Sequence, residues 1–203
     1  MSGLDQIPFL NGWNCYDWRN AKAVLDQVHS REWNEVIEVI EVIKNFKLKH
    51  SELAAKGKNK TEVSKSIDGE LYKRGWFETK FDTKIVVDEN EYESPTHSVD
   101  CFKGKIALEL EWNNKDPFYD RDLNNFRLLF ELRAVDVGII ITRSTSLQQW
   151  LNKNHKLLNK AHGTFGASTT HFDKLETRIV GGGAGGCPVF VFAMTEQLYH
   201  ADL

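Results

Sequence analysis

Asp100, Glu109 and Glu111 are carboxylates that one β-hairpin can gather on a single face, which is the equipment for holding a divalent cation beside a phosphodiester. From Lys105 onward the chain alternates strictly: Ile106, Leu108, Leu110 and Trp112 point one way, and Lys105, Ala107, Glu109 and Glu111 the other. One face belongs to the core and the other to the chemistry. If Lys103 and Gly104 form a two-residue turn, Asp100 falls opposite Ala107 and diagonal to Glu109, about 7–8 Å away at Cβ. Magnesium takes oxygen ligands at about 2.0–2.1 Å and keeps several waters, so two carboxylates and a strand carbonyl such as that of Leu110 suffice from the protein. The register carries this inference, and a strand with one solvated face also carries Glu and Lys without any function.

An acidic residue on one strand, followed nine residues later by Glu-x-Glu, resembles the PD-(D/E)xK nuclease motif, and the spacing is similar to that of the BglII, BamHI and BstYI group of type II restriction endonucleases. The proline of the wider motif is replaced by Val99, and Glu111 stands where many relatives have Lys. The likeness extends from Ile67 to Met194. It takes in Gly75-Trp76 at the end of a helix, a helix at 120–133, an apolar strand at 135–142, and Ser168-Thr169-Thr170-His171 before a late helix. The resemblance implies an α/β fold with a central mixed β-sheet flanked by helices. It further implies a magnesium-dependent homodimer that cuts both strands of a short palindromic double-stranded DNA site, leaving 5′-phosphate and 3′-hydroxyl ends. Relatives recognise sites built around GATC. By the same resemblance Asp100, Glu109 and the Leu110 carbonyl are metal ligands, and Glu111 accepts the water proton or holds a second metal. Glu78 is a further acid, and bases are read by Asn113, Asn114, Lys115, Ser168, Thr169 and Thr170. The loop before Pro117-Phe118 is one residue longer than in BglII, so base assignments do not transfer singly. Asn-Asn-Lys-Asp is also ordinary turn chemistry, and Ser-Thr-Thr ordinary helix capping.

The elements that must position these residues follow from periodicity. Residues 32–46 repeat apolar positions at helical spacing, with Trp33, Val36, Ile37, Ile40, Ile43 and Phe46 facing the core. A helix over 61–74 should stop at Gly75 in a left-handed cap. Residues 80–88 read as a strand, and 90–96, with Pro95, as a polar loop. A helix over 119–133 is apolar on more than one stripe and wants burial on two sides, either in a dimer interface, as the resemblance implies, or inside the monomer. Residues 134–142 are a nearly continuous apolar run suited to a central strand. Helices are expected at 147–159 and at 171–179, the latter capped from Ser168 to Thr170. The glycines at 181–186 follow a helix and open a strand, which excludes a phosphate-binding loop and leaves a flexible connection.

Composition adds limits. At 203 residues the chain is read as one endonuclease domain, with a helical N-terminal part to about residue 60 and a catalytic core beyond it. No stretch reaches about 20 apolar residues and no signal pattern opens the chain, so the expectation is a soluble cytoplasmic protein. Cys15, Cys101 and Cys187 lack metal spacing and are expected to be reduced thiols, and the seven histidines form no zinc motif. Net charge is −3, yet residues 44–74 hold nine positive and four negative side chains, suited to a phosphate backbone or simply to a solvated loop. Two other readings stay open: a structure-specific repair or recombination nuclease of the same fold, and a non-catalytic dimeric DNA-binding protein.

Overall fold

Residues 5–29, 35–55 and 61–202 are described by a computed structural model of the chain. In chain order its strands are β1 (Asp5–Leu10), β2 (Trp13–Trp18), β3 (Leu48–Lys49), β4 (Phe77–Thr79), β5 (Asp82–Val87), β6 (Asn90–Pro95), β7 (Val99–Lys103), β8 (Ile106–Leu110), β9 (Val137–Arg143), β10 (Val189–Met194) and β11 (Tyr199–His200). Its helices are α1 (Ala21–Val24), α2 (Glu35–Asn45), α3 (His50–Ala54), α4 (Glu62–Tyr72), α5 (Phe118–Glu131), α6 (Thr145–Lys153) and α7 (Phe172–Val180). The central sheet runs β1-β2-β10-β9-β8-β7-β4. Pairing is parallel for β8–β9 and β9–β10 and antiparallel elsewhere, so the sheet is mixed.

Helices cover both faces, which is why β8, β9 and β10 are buried along their whole length. Val39, Ile43, Ile67, Leu71, Leu147 and Leu151 pack on Ile106, Leu108 and Ile141 on one side. Leu123, Phe126, Leu129, Leu175 and Ile179 pack on Ala107, Ile140 and Val191 on the other. Helix α5 approaches β9 so closely that a Cβ on Gly138 would lie 2.4 Å from Phe126 Cδ2. The face of β8 that carries Glu109 is therefore roofed by a helix and is not the solvated face expected from alternation.

Several expectations are corrected. The helical N-terminal part is preceded by β1 and β2, which complete one side of the central sheet. In α2, Ile37 is exposed while Val36, Val39, Val42 and Ile43 are buried; the repeat Glu-Val-Ile puts apolar residues on more of the helix than one face can bury, and Ile37 is left outside. Positions 32–34 of that expected helix lie outside the described residues. The loop expected over 90–96 is strand β6, paired with β5 through a two-residue turn at Asp88-Glu89, with Asp88 at φ 54°. Pro95 is compatible with pairing because it ends the strand. The helix expected over 147–159 ends at Lys153. Helix α7 has His171 at its N-cap without a side-chain bond; Thr169 Oγ1 donates to the Gly166 carbonyl and Thr170 Oγ1 accepts from Asn114 N–H. The run Gly181–Gly186 is a close-packed turn: Gly185, at φ +57°, would bring a Cβ to 2.6 Å from Arg127 Cγ. Helix α4 behaves as expected, with Thr61 capping Ser64 N–H and Gly75, at φ +81°, letting Trp76 N–H reach the Leu71 carbonyl.

Candidate active site

The hairpin β7–β8 turns at Gly104-Lys105, one residue later than expected. Both residues have positive φ, 51° and 66°, as a two-residue turn with the twist of its strands requires. The pairs Lys103–Ile106, Phe102–Ala107 and Cys101–Leu108, continued by one step, set Asp100 opposite Glu109 and not opposite Ala107. Pairing slides by two positions, so the face is kept and the two acids come closer. Asp100 N–H donates to Glu109 Oε2 at 3.2 Å, and Leu110 N–H donates to Asp100 Oδ2 at 3.1 Å. Tyr72 Oη of α4 donates to the Asp100 carbonyl at 3.2 Å, fixing β7 from the other side of the sheet.

Glu109 and Glu111 are each 1 % exposed. The Glu111 backbone continues the sheet through its N–H to the Ile141 carbonyl, and its own carbonyl accepts from Thr142 Oγ1 at 3.0 Å. Tyr119 of α5 in turn bonds Thr142 at 2.6 Å, so the roofing helix is tied to the acidic strand. Glu111 Oε2 accepts from Asn114 Nδ2 at 3.0 Å, and Oε1 lies 3.6 Å from Arg121 Nη2.

Two further residues complete the cluster and were not foreseen. Asp122 on α5 is wholly buried, and Arg121 beside it donates from Nε and Nη2 to Asp122 Oδ1. A signal for Asp122 existed: it stands three residues after Tyr119 and four before Phe126, inside the apolar stripe of an amphipathic helix, where an unpaired acid is costly. Burial, then the charges of Asp122, Asp100 and Glu111, push the Glu109 carboxyl well above the ordinary range. Burial, then the charge of Asp122, push Glu111 up to about 9. Asp122 is also raised by burial, against the opposing pull of Arg121. With all of them ionised, Asp122 Oδ2 and Glu109 Oε1 are buried without a donor; a proton on Glu111 supplies one for Asp122.

A cleft of about 510 Å³ opens over this cluster. It is lined by Asp100, Leu110 and Glu111, by Glu78 from β4, and by Asn114 and Arg121. The two segments expected to read bases come together at its margin. Lys115 bridges Thr169 in an antiparallel pair, Thr170 N–H donates to the Asn114 carbonyl, and Asp116 N–H to the Ser168 carbonyl. Lys115 and Ser168 are exposed, whereas Thr170 is buried with its hydroxyl accepting from Asn114 N–H at 3.1 Å. Asn113 takes a left-handed turn at φ 54°. Behind the ladder lies Arg143, also unforeseen. It is 0 % exposed, donates to the Thr170 carbonyl at 2.6 and 3.1 Å and to Thr169 Oγ1 at 2.7 Å, and is lowered to about 10 by burial.

Of the basic cluster at 44–74, Lys65 pairs with Glu62, and Lys73 and Arg74 with Glu70; Lys56, Lys58 and Lys60 lie outside the described residues. All three cysteines are buried thiols that form no disulfide. Among the described residues no helix is long and apolar enough to cross a membrane. Nor, among them, does any group of three His, Cys, Asp or Glu converge in the geometry of a filled metal centre, since Asp100 and Glu109 are turned onto strand amides. The donors nevertheless fit a hard cation: they are all oxygen, mutually repulsive, and include the orphaned Glu109 Oε1.

No curated protein matches the chain. A protein-family model described as restriction endonuclease BglII/BglIII matches residues 13–194.

Proposed function

From the premise that the chain belongs to the BglII/BglIII restriction endonuclease family, and is thus a type II site-specific deoxyribonuclease acting on double-stranded DNA, we propose that a homodimer cleaves both strands of a short palindromic site in a magnesium-dependent reaction. The observation that carries the metal assignment is the buried, donorless Glu109 Oε1 beside Asp100, Glu111 and Asp122. Asp100, Glu109 and the Leu110 carbonyl would hold the cation. When bound it lowers the pKa of a coordinated water and offsets charge on the phosphate. The water oxygen bonds to phosphorus as the P–O3′ bond breaks and O3′ takes a proton from solvent water, leaving a 5′-phosphate and a 3′-hydroxyl. Glu111 lines the cleft and keeps its proton in the metal-free fold; it would release that proton beside a bound cation, and the freed carboxylate is the group we assign to accept the proton of the attacking water at Oε1 or Oε2.

Lys115 and Ser168, exposed on the paired segments, and Thr169 beside them are our base-reading side chains, together with Asn113 and Asn114. We give Thr170 the role of fixing the ladder. The homodimer reading is supported by Leu128, half-buried, and Leu132, 46 % exposed just past the end of α5, where the apolar residues extend beyond the face buried in the sheet.

The test is incubation of purified protein with phage DNA of known sequence, with and without magnesium, beside an Asp100→Ala variant. Discrete fragments that require both magnesium and Asp100, with sequenced ends sharing one palindrome, are the expected result. Cleavage governed by branches or flaps would instead indicate a repair nuclease. A folded wild-type protein that cuts nothing would refute the proposal.

A further inference from the structure

The cleft is lined by carboxylates, while a phosphodiester is an anion. Asp100, Glu78 and Glu111 face the opening, and Glu109 and Asp122 lie beneath it. A cation held by Asp100 and Glu109 would offset part of this charge on one side of the phosphate, and a fixed positive charge on the protein would serve the other. Among the described residues that line the cleft, Arg121 alone is an arginine or lysine.

Its side chain is held in one plane. Nε and Nη2 both donate to Asp122 Oδ1, at 2.9 and 2.8 Å, and the guanidinium lies 4.5 Å from the centre of the Phe118 ring. The side chain is about one-third exposed, and among the described residues Nη1 makes no hydrogen bond. An ordinary surface ion pair contributes roughly 0–1 kcal/mol and involves two solvated partners. Here one partner is wholly buried, which costs several kcal/mol of desolvation. Stability alone does not account for sinking an aspartate in the core to aim an arginine at a cleft. A planar guanidinium with an open edge is, however, suited to the oxygens of a phosphate.

We infer that Arg121 is a catalytic residue that donates from its open edge to a non-bridging oxygen of the scissile phosphate, and that Asp122 is its positioning residue. This rests on the nuclease reading above. The guanidinium stabilises charge on the phosphoryl oxygens while the bonds to phosphorus are exchanged, and is itself unchanged by the reaction.

The test compares Arg121→Ala, Asp122→Asn, the double variant and Arg121→Lys with the wild type. Single-turnover cleavage is measured in magnesium on a phage DNA fragment that the wild type cuts, and binding of the same fragment in calcium. Arg121→Ala should slow cleavage about 10²–10³-fold, as loss of one oriented donor does, while binding weakens less than tenfold. Arg121→Lys should recover part of the rate, and millimolar guanidinium ion should partly rescue Arg121→Ala. The double variant decides between roles. If Arg121 serves only to neutralise Asp122, removing both charges restores the wild-type rate and the inference is overturned. If Arg121 acts on phosphate, the double variant stays as slow as Arg121→Ala, including where the single variant folds poorly. Wild-type activity with an undiminished Arg121→Ala rate also overturns it, whereas a wild type that cuts no DNA removes the nuclease reading and this role with it.

Discussion

Glu111→Gln should make the protein more stable, with a pH dependence that identifies the cause. In the folded chain Glu111 is 1 % exposed and its carboxyl is pushed up to about 9, first by burial and then by Asp122. Between about pH 4.5 and pH 9 the unfolded chain has released this proton while the folded chain retains it, so the folded state binds more protons and stability falls as pH rises. At about 1.4 kcal/mol per unit, the ceiling at pH 7.5 is about 4 kcal/mol. Sharing of the proton with Asp122 and the pull of Arg121 reduce this, so a gain of about 2–3 kcal/mol is expected for the variant. Glutamine mimics the protonated acid: its oxygen can keep the Asn114 bond and its amide can donate to Asp122 Oδ2, which otherwise lacks a donor. Urea unfolding in EDTA, followed by tryptophan fluorescence from pH 5.5 to 8.5, measures both proteins. The variant should lose about 1 kcal/mol per pH unit less than the wild type, and the slope that remains in it comes from Glu109. A wild-type stability flat across this range, or a variant no more stable at pH 7.5, would refute the reasoning.

Gly138→Ala should lower the melting temperature by several degrees, because its Cβ would meet the Phe126 ring at 2.4 Å and overpacking of this kind costs about 1–3 kcal/mol; thermal unfolding checks this, and adding Phe126→Leu should return part of the loss. Arg143→Lys cannot reproduce the forked contact with the Thr170 carbonyl and Thr169 hydroxyl, and should cost about 2–3 kcal/mol. Its cleavage of sites altered at one base pair should rise relative to the true site, and an unchanged ratio would separate Arg143 from recognition. Leu132→Asp should shift the protein toward monomer in sedimentation velocity at micromolar concentration and reduce double-strand cutting; an unmoved sedimentation coefficient would place the dimer contact elsewhere.

The acidic hairpin was legible because period-two alternation and a nine-residue spacing are local properties. Its register was not, since Lys103-Gly104 and Gly104-Lys105 are both acceptable two-residue turns and both leave the same residues on each face of the sheet. Helix α5 was readable as a helix, but the meaning of its Asp122 depends on which strand lies beneath it. Arg143 follows an apolar strand like any terminal charge, and nothing near it in sequence announces Thr169 and Thr170 as partners. The meeting of 113–116 with 168–170 is similarly a tertiary event between segments about fifty residues apart. Strand β6 was lost to composition: Glu, Asn, Ser and Pro suggested a loop and outweighed its pairing partner.

The pairing of β2 with β10 has a kinetic meaning. Trp18 lies opposite Val189, so the contact joins residues about 170 positions apart, a loop whose closure costs on the order of 4–5 kcal/mol in chain entropy before any bond forms. The hairpin β7–β8 closes across two residues. Acidic hairpin first and flanking strands last is thus the order that polymer statistics favour. On the ribosome β2 emerges long before its neighbour, and its hydrogen-bonding edge must wait for most of the chain to be made. The nascent chain therefore carries Asp100, Glu109 and Glu111 well before it has the sheet that holds them rigid.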